Sequence, residues 1–132
     1  MNLESLTPNL MVKDVNATVT YYTKTLGFTL IDSNPESGEL EWAYVMFNKV
    51  GLMFQEESSL KEEYPELKNA GGESALTLYI RVQDINELYN TLHNKVEVVK
   101  PMNTTFYGTE EFAIRDLNGF ILTFSETPNG QA

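Results

Sequence analysis

A stretch near the start of the chain recurs 70 positions later, and this repeat restricts the folds that the sequence can adopt. Residues 7–22, TPNLMVKDVNATVTYY, align with residues 77–92, TLYIRVQDINELYNTL, so that threonine, aspartate and asparagine positions coincide. A shift of 68 positions overlays two later hairpin-like segments and places Gly51 on Gly119. Self-similarity of this kind is typical of a structural unit that is used more than once. The sequence therefore predicts one module, present twice.

Each half has the hydrophobic pattern of a strand, a helix and three further strands. Leu78 and Ile80 alternate with polar neighbours, which is the period of a strand with one buried face. Asp84 is expected to cap the following helix, with Glu87 completing a capping box, and Asp14 is expected to cap the matching first helix. The prediction is an α+β fold of two βαβββ modules, in which Asn118-Gly119 forms a hairpin turn.

The 132 residues are expected to form a single domain. Module one is predicted at about residues 5–57, a linker at about 58–74, and module two at about 75–126. The acidic segment at 56–68 is interpreted as a solvated loop with one helical turn that starts at Ser59.

The strand pattern also assigns side chains to two faces of each sheet. The helices are expected to cover the more apolar face, which carries Leu10, Val12, Leu52, Phe54, Leu78, Ile80, Leu122 and Phe124. The opposite face is mixed in character and carries Thr7, Asn9, Met11, Met53, Gln55, Thr77, Tyr79, Ile121 and Thr123. Such a face suits a ligand cavity with apolar walls and a few polar anchors.

Composition excludes several classes of function. The chain has no cysteine, so disulfides, thiolate metal sites and cysteine nucleophiles are excluded. Nine basic against 19 acidic residues give a net charge of −10, which argues against nucleic acid as a partner and favours a cationic ligand. No apolar run approaches the ~20 residues that span a bilayer, and the first residues lack the pattern of a signal peptide. A cytoplasmic protein without a membrane partner is expected.

Two segments carry a resemblance to a known family. Residues 12–28, VKDVNATVTYYTKTLGF, and residues 107–126, YGTEEFAIRDLNGFILTFSE, resemble the glyoxalase/bleomycin-resistance/dioxygenase superfamily, also called the vicinal oxygen chelate fold. Leu117 departs from the family pattern, because a proline usually stands there. The resemblance implies two modules related by pseudo-twofold symmetry, with curled mixed sheets that enclose a cavity and helices on the outer face.

Enzymes of this family typically bind a divalent metal through His, Glu or Gln side chains of the strands. The resemblance maps their ligand positions to Thr7, Gln55, Thr77 and Thr123. This set contains no imidazole and no carboxylate, whereas catalytic metal sites generally use about three good protein ligands. The only histidine, His93, is expected to face solvent near a helix end. We therefore expect no metal and no other cofactor.

The aromatic residues Trp42, Phe106, Tyr107 and Phe112 are further candidates for the cavity wall. With the mixed-face residues they complete the expected ligand-binding set, which is Thr7, Asn9, Met11, Trp42, Met53, Gln55, Thr77, Tyr79, Phe106, Tyr107, Phe112, Ile121 and Thr123. No catalytic residue is assigned, and Glu56, Glu57, Glu110 and Glu111 are interpreted as solvated.

Two functions are compatible with these observations. The first is a metal-free protein that sequesters a small aromatic or cationic molecule. The alternative is a lyase, isomerase or dioxygenase that uses a divalent metal or a cavity carboxylate such as Glu57 or Glu111. A homodimer is expected in either case, because small modules gain stability by covering exposed sheet edges.

Overall fold

The fold consists of two units, each of which repeats the same order of elements. A computed structural model describes residues 1–71 and 76–128. The chain divides into Met1–Gly72 and Glu73–Ala132, and we call these units module one and module two. Residues 72–74 of the expected linker and residue 75 at the expected start of module two lie outside the described residues.

Module one is a four-stranded mixed sheet with one long crossover. Its elements are β1 (Asn9–Val12), α1 (Val15–Thr20) with a π-helical turn (Tyr21–Thr25), β2 (Thr29–Asn34), β3 (Trp42–Phe47), β4 (Val50–Glu56), α2 (Glu57–Glu63) and a 3-10 turn (Pro65–Leu67). The strand order is β1-β4-β3-β2, and β1 and β4 are parallel. The helix α1 therefore connects the two outer strands of the sheet.

Module two has the same topology. Its elements are β5 (Thr77–Arg81), α3 (Ile85–Leu92), β6 (Glu97–Thr104), β7 (Glu110–Arg115) and β8 (Ile121–Glu126). The strand order is β5-β8-β7-β6, and β5 and β8 are parallel. The predicted α+β architecture of two βαβββ modules is confirmed, and neither four-stranded sheet closes into a barrel within the described residues.

The helix-covered face of each sheet forms the core of its module. In module one, the fully buried Tyr22 packs against Phe54 with ring centroids 4.8 Å apart. In module two, Phe112 packs against Phe124 at 5.1 Å and against Tyr89 at 4.9 Å. Burial of each such side chain contributes about 1.5–3 kcal/mol. The predicted core face is confirmed, although Leu78 and Ile80 of β5 are only half-buried.

The two helices that follow the first strand of each module are capped differently. Asp14 behaves as predicted, since its carboxylate accepts a 3.0 Å hydrogen bond from the Ala17 amide. Asp84 has a left-handed backbone, with φ of 58°, and its side chain makes no capping bond. The Glu126 carboxylate caps α3 instead, because it accepts bonds from the Asp84 and Ile85 amides, both at 3.1 Å. The predicted capping box of Asp84 and Glu87 is therefore wrong.

The hairpin overlay of the sequence analysis is shifted by two residues. Asn9 pairs with Met53 in module one, and Tyr79, which lies 70 positions after Asn9, pairs with Thr123. The shift of 70 therefore holds for β4 and β8 as well, and Gly51 corresponds to Ile121 and not to Gly119. The reason is turn length, because β3 and β4 are joined by Asn48 and Lys49 alone whereas residues 116–120 join β7 to β8.

The segment at 56–68 is more ordered than expected. The helix α2 starts at Glu57, and the Glu56 carboxylate accepts hydrogen bonds from the Ser58 and Ser59 amides at its beginning. The pKa of Glu56 lies below its ordinary value, mainly because the Ser58 hydroxyl donates to its carboxylate and further because these two amides do. Leu60 is buried, which anchors the helix to module one. The first part of the expected linker thus belongs to that module.

Candidate functional site

Equivalent positions of the two sheets carry different side chains. On the face away from α1, the row of cross-strand partners in module one is Met11, Gln55, Trp42 and Asn34. The corresponding row in module two is Arg81, Ser125, Glu111 and Asn103. Cross-strand partners share a sheet face, so Ser125 takes the place of Gln55 and Glu111 takes the place of Trp42.

In module one, a chain of hydrogen bonds connects the first strand to α2 through Gln55. Gln55 is only 8 % exposed, and its Oε1 accepts a 2.9 Å bond from Asn9 Nδ2. Its Nε2 donates to Glu63 Oε1 at 2.9 Å and to Ser59 Oγ at 3.1 Å. Both amide hydrogens are therefore used, and the side chain is held in one orientation.

A cleft of about 430 Å³ opens beside this chain. Four residues of the expected ligand-binding set line it, namely Asn9, Trp42, Met53 and Gln55. Five other side chains complete its wall, and these are Asn34, Glu41, Ser59, Glu63 and Tyr64. Thr7 and Met11 are half-buried and do not line the cleft. The cleft combines two aromatic rings with two carboxylates.

In module two, hydroxyl groups from three places converge on one carboxylate oxygen. Glu111 is only 4 % exposed, and its Oε2 lies 2.8 Å from the hydroxyl of Tyr79 and 3.0 Å from that of Ser125. Thr109 and Tyr107, just before β7, donate to the same oxygen at 2.9 and 3.1 Å. The interpretation of Glu111 as a solvated residue is therefore wrong. We call these five residues the Glu111 cluster.

The hydroxyl donors determine the charge of the Glu111 cluster. Burial raises the pKa of Glu111, but the bonds from Tyr79, Thr109, Ser125 and Tyr107 outweigh it and hold the pKa below its ordinary value. Partial burial and the neighbouring Glu111 carboxylate raise the pKa of Tyr107. At neutral pH the Glu111 carboxylate is thus ionised and the Tyr107 phenol is protonated.

The remaining aromatic and polar candidates differ in their surroundings. Phe112 is fully buried between Phe124 and Tyr89 on the helix-covered face, so it packs in the core and is not part of a cavity wall. Phe106 is fully exposed, and its ring is perpendicular to that of Tyr107 with ring centroids 4.9 Å apart. Thr77 is exposed, whereas Ile121 and Thr123 are half-buried.

His93 is exposed at the end of α3, as predicted, and stacks on Tyr89.

The strand positions that would hold the family's metal do not provide a suitable donor set in either module. By the strand register, Ser125 and not Thr123 corresponds to Gln55. The first-strand side chains that bond to these two residues are Asn9 and Tyr79, which lie two positions after Thr7 and Thr77. These groups are neutral, and the amide of Gln55 is occupied by its hydrogen bonds. Within residues 1–71 and 76–128, no three histidine, aspartate or glutamate side chains group as a metal site would require.

Sequence reasoning missed Thr109 and Ser125, and it named Glu111 only as a solvated residue or as a cavity carboxylate of the enzyme alternative, although one signal pointed to its sheet face. Phe112 and Ile114 alternate with Glu111 and Ala113 along β7, and the side chains of Phe112 and Ile114 belong to the core beneath the helix. That alternation already assigns Glu111 to the opposite face. The carboxylates of Glu41 and Glu63 had no comparable signal, because their position in the cleft depends on loop and helix geometry.

Comparison with known proteins decides the family. A profile of the glyoxalase/bleomycin resistance protein/dioxygenase superfamily matches residues 5–124. The chain belongs to this superfamily. A search of curated proteins finds no match to the sequence.

Solved structures show the same fold at low sequence identity. TioX from Micromonospora sp. ML1 has a TM-score of 0.78 and 20% identity, covering 93% of this chain and 98% of its own. A protein of unknown function from Agrobacterium tumefaciens str. C58 has a TM-score of 0.77 and 18% identity, with 96% of each chain covered. The bleomycin-binding protein of Streptomyces verticillus, solved with copper(II)-bleomycin, has a TM-score of 0.65 and 22% identity, with 94% and 96% covered.

None of the helices in residues 1–71 and 76–128 combines the length and the apolar character that crossing a membrane requires.

Proposed function

We propose that this glyoxalase-superfamily protein binds a small organic molecule with aromatic or cationic character, and that it does so without a metal ion. The cleft of module one carries this proposal. Trp42 and Tyr64 offer aromatic surface there, and Glu41 and Glu63 offer negative charge. Aromatic faces and carboxylates both attract organic cations, and the net charge of −10 adds a long-range attraction.

The occupied hydrogen bonds of the family's metal positions support metal independence. Gln55 is fixed between Asn9 and Glu63, and Tyr79 is fixed on Glu111. A metal ion would have to displace these bonds, and beside neutral amide and hydroxyl groups it would find one carboxylate in each place, Glu63 or Glu111. Since hard divalent ions prefer carboxylate-rich oxygen sets and zinc prefers imidazole or thiolate, the exchange is unfavourable.

A structural neighbour supports the class of function but does not define the ligand. The Streptomyces verticillus protein binds bleomycin, and it shares the fold over 94% of this chain. By analogy, we propose that the present protein sequesters its ligand. The alternative of a lyase, isomerase or dioxygenase has less support, because the depressed pKa of Glu111 makes it a weak general base.

Fluorescence titration tests the module one cleft directly. Trp42 is the only tryptophan of the chain, so quenching of its emission by proflavine, a flat aromatic cation, reports binding beside it. Glu41→Gln should weaken this binding several-fold because it removes a carboxylate from the cleft. Glu39→Gln is the matched control, since Glu39 is exposed and does not line the cleft. Calorimetric binding of proflavine with unchanged Trp42 emission would contradict the proposal.

We also propose that the protein forms a homodimer. The outer strand β2 of module one exposes Leu30 and Ile31, with 41% and 52% of their surface accessible. Edge strands with large apolar residues tend to be covered by another chain. Light scattering should give a particle of twice the 15.0 kDa chain mass, and Ile31→Lys should lower it. A 15.0 kDa particle at all micromolar concentrations would contradict the dimer.

A further inference from the structure

The Glu111 cluster has features of a binding site that the fold alone does not require. Its carboxylate is buried, yet the rings that surround it are open to solvent, with 55% of Tyr79 and 57% of Tyr107 exposed. The fully exposed Phe106 ring extends this surface beyond Tyr107. Large exposed aromatic residues next to a buried charge are uncommon on a soluble surface, and they mark this part of module two as a candidate ligand site.

The charge of Glu111 is solvated by the cluster but not neutralised. All four donors to its Oε2 are uncharged hydroxyl groups. No Lys, Arg or His within residues 1–71 and 76–128 forms an ion pair with it. Buried carboxylates in proteins are usually paired with a cation. The cluster therefore retains a full negative charge that a cationic ligand can use.

The two oxygens of Glu111 have different roles. Oε2 accepts every hydrogen bond that the described residues donate to this side chain. Oε1 receives none of them, and no side-chain oxygen among those residues is both buried and without a partner. Oε1 therefore reaches solvent. One oxygen fixes the carboxylate, and the other remains available for an incoming donor.

We propose that the Glu111 cluster is a second ligand site, specific for an organic ammonium group, in which Oε1 accepts the ammonium hydrogen bond between the Tyr79 and Tyr107 rings. An ammonium ion matches all three observations, because it supplies donors, positive charge and a cation for the aromatic faces. A metal ion would find one carboxylate oxygen and neutral phenols, which is too few good ligands. The site goes beyond the proposed function, since it uses other residues in the other module.

Nuclear magnetic resonance titration with benzylamine and benzyl alcohol tests this site. The two probes share a ring and differ in charge at neutral pH. Benzylamine should shift the backbone amides of Tyr107, Thr109, Glu111 and Ser125, and benzyl alcohol should bind at least about tenfold more weakly, since hydrogen bonds to charged groups are the stronger ones. Equal affinity for the two probes, or shifts confined to the module one cleft around Trp42, would overturn the proposal.

Two variants with the same change in net charge locate the interaction. Glu111→Gln removes the charge of the cluster and should weaken benzylamine binding at least about tenfold. Glu110→Gln is the matched control, because the adjacent side chain belongs to the other face of β7 and makes no side-chain hydrogen bond within the described residues. Equal losses in the two variants would show a long-range charge effect only and would overturn the site.

Tyr107→Leu keeps the inference testable if Glu111→Gln fails to fold. Tyr107 is largely exposed, so the variant should retain the fold, and it removes one aromatic wall while it leaves the carboxylate in place. Benzylamine binding should weaken about threefold, and unchanged affinity would contradict the aromatic part of the site. A negative result at the Glu111 cluster would not contradict the proposed function, because the Trp42 titration reports on different residues.

Discussion

Two hydroxyl donors to Glu111 make the same bond from different environments. Ser125 is 2% exposed, whereas Tyr107 is mostly in solvent. Loss of a bond inside the module leaves the carboxylate without compensation by water, while loss of a surface bond is compensated by a water molecule. The energetic importance of each donor is therefore set by its burial and not by its distance.

Ser125→Ala should thus destabilise the protein by about 1–3 kcal/mol, and Tyr107→Phe should cost well under half of that. Urea unfolding, followed by circular dichroism, measures both free energies. Each variant deletes one hydroxyl donor to the same oxygen. Ser125→Ala also removes an acceptor of the Tyr79 hydroxyl, which still has Glu111 as its acceptor. Equal losses of unfolding free energy in the two variants would show that burial does not govern how much each bond to Glu111 contributes to stability.

The depressed pKa of Glu111 gives stability a defined pH dependence. Because the folded pKa lies below the unfolded one, the native state binds fewer protons, and this contribution is present above the unfolded pKa. It is lost as the pH falls from about 4.3 through the folded pKa. Glu111→Gln should show a smaller fall in unfolding free energy over that window, measured by urea titration at a series of pH values. Glu56, whose pKa is also lowered, remains in both proteins, so it cancels in the difference. If the unfolding free energies of the two proteins fell in parallel with pH, Glu111 would not be the group that causes this pH dependence.

At the scale of elements, the helix α3 depends on a strand for its N-terminal cap. Glu126, at the end of β8, accepts from the first amides of α3, while the side chain of Asp84 does not. The strand thus stabilises the helix that covers the same module, and it couples the formation of the two elements.

Glu126→Ala should therefore cost about 0.5–2 kcal/mol, as for other helix caps, and thermal unfolding measures it. Asp84→Gly should be neutral or slightly stabilising, because glycine adopts a φ of 58° without strain. Asp14→Ala is a positive control, since Asp14 caps α1 with its own side chain. A larger loss of stability for Asp84→Gly than for Glu126→Ala would show that Asp84, and not Glu126, caps α3.

At the scale of the whole molecule, a metal-independent protein should respond little to divalent ions. A ligand at a hundred times its dissociation constant stabilises by about 2.7 kcal/mol, which corresponds to roughly 10 °C in Tm for a chain of this size. Zinc, nickel or manganese should produce a much smaller shift in a thermal scan. Stoichiometric zinc that copurifies and is lost in Gln55→Ala would contradict metal independence.

Local patterns in the sequence determined the fold. The repeat between residues 7–22 and 77–92 predicted two βαβββ modules, and the alternation of Leu10, Val12, Leu52 and Phe54 identified the face beneath the helix. These predictions succeeded because strand and helix periodicity, and the solvation of apolar side chains, are properties of short segments. For the same reason, Asn9, Met53 and Gln55 could be assigned to one face of module one, and these three residues line the cleft together with Trp42.

Tertiary structure alone decided the chemistry of module two. Glu111 is buried because β5, β8 and the segment before β7 bring four hydroxyls to one of its oxygens. Glu126 caps a helix that begins 41 positions earlier in the chain. The turn between β3 and β4 has two residues and that between β7 and β8 has five, and this difference changed which residues of the two modules correspond. Contacts between distant residues depend on strand register and turn geometry together, and no single segment of the sequence contains that information.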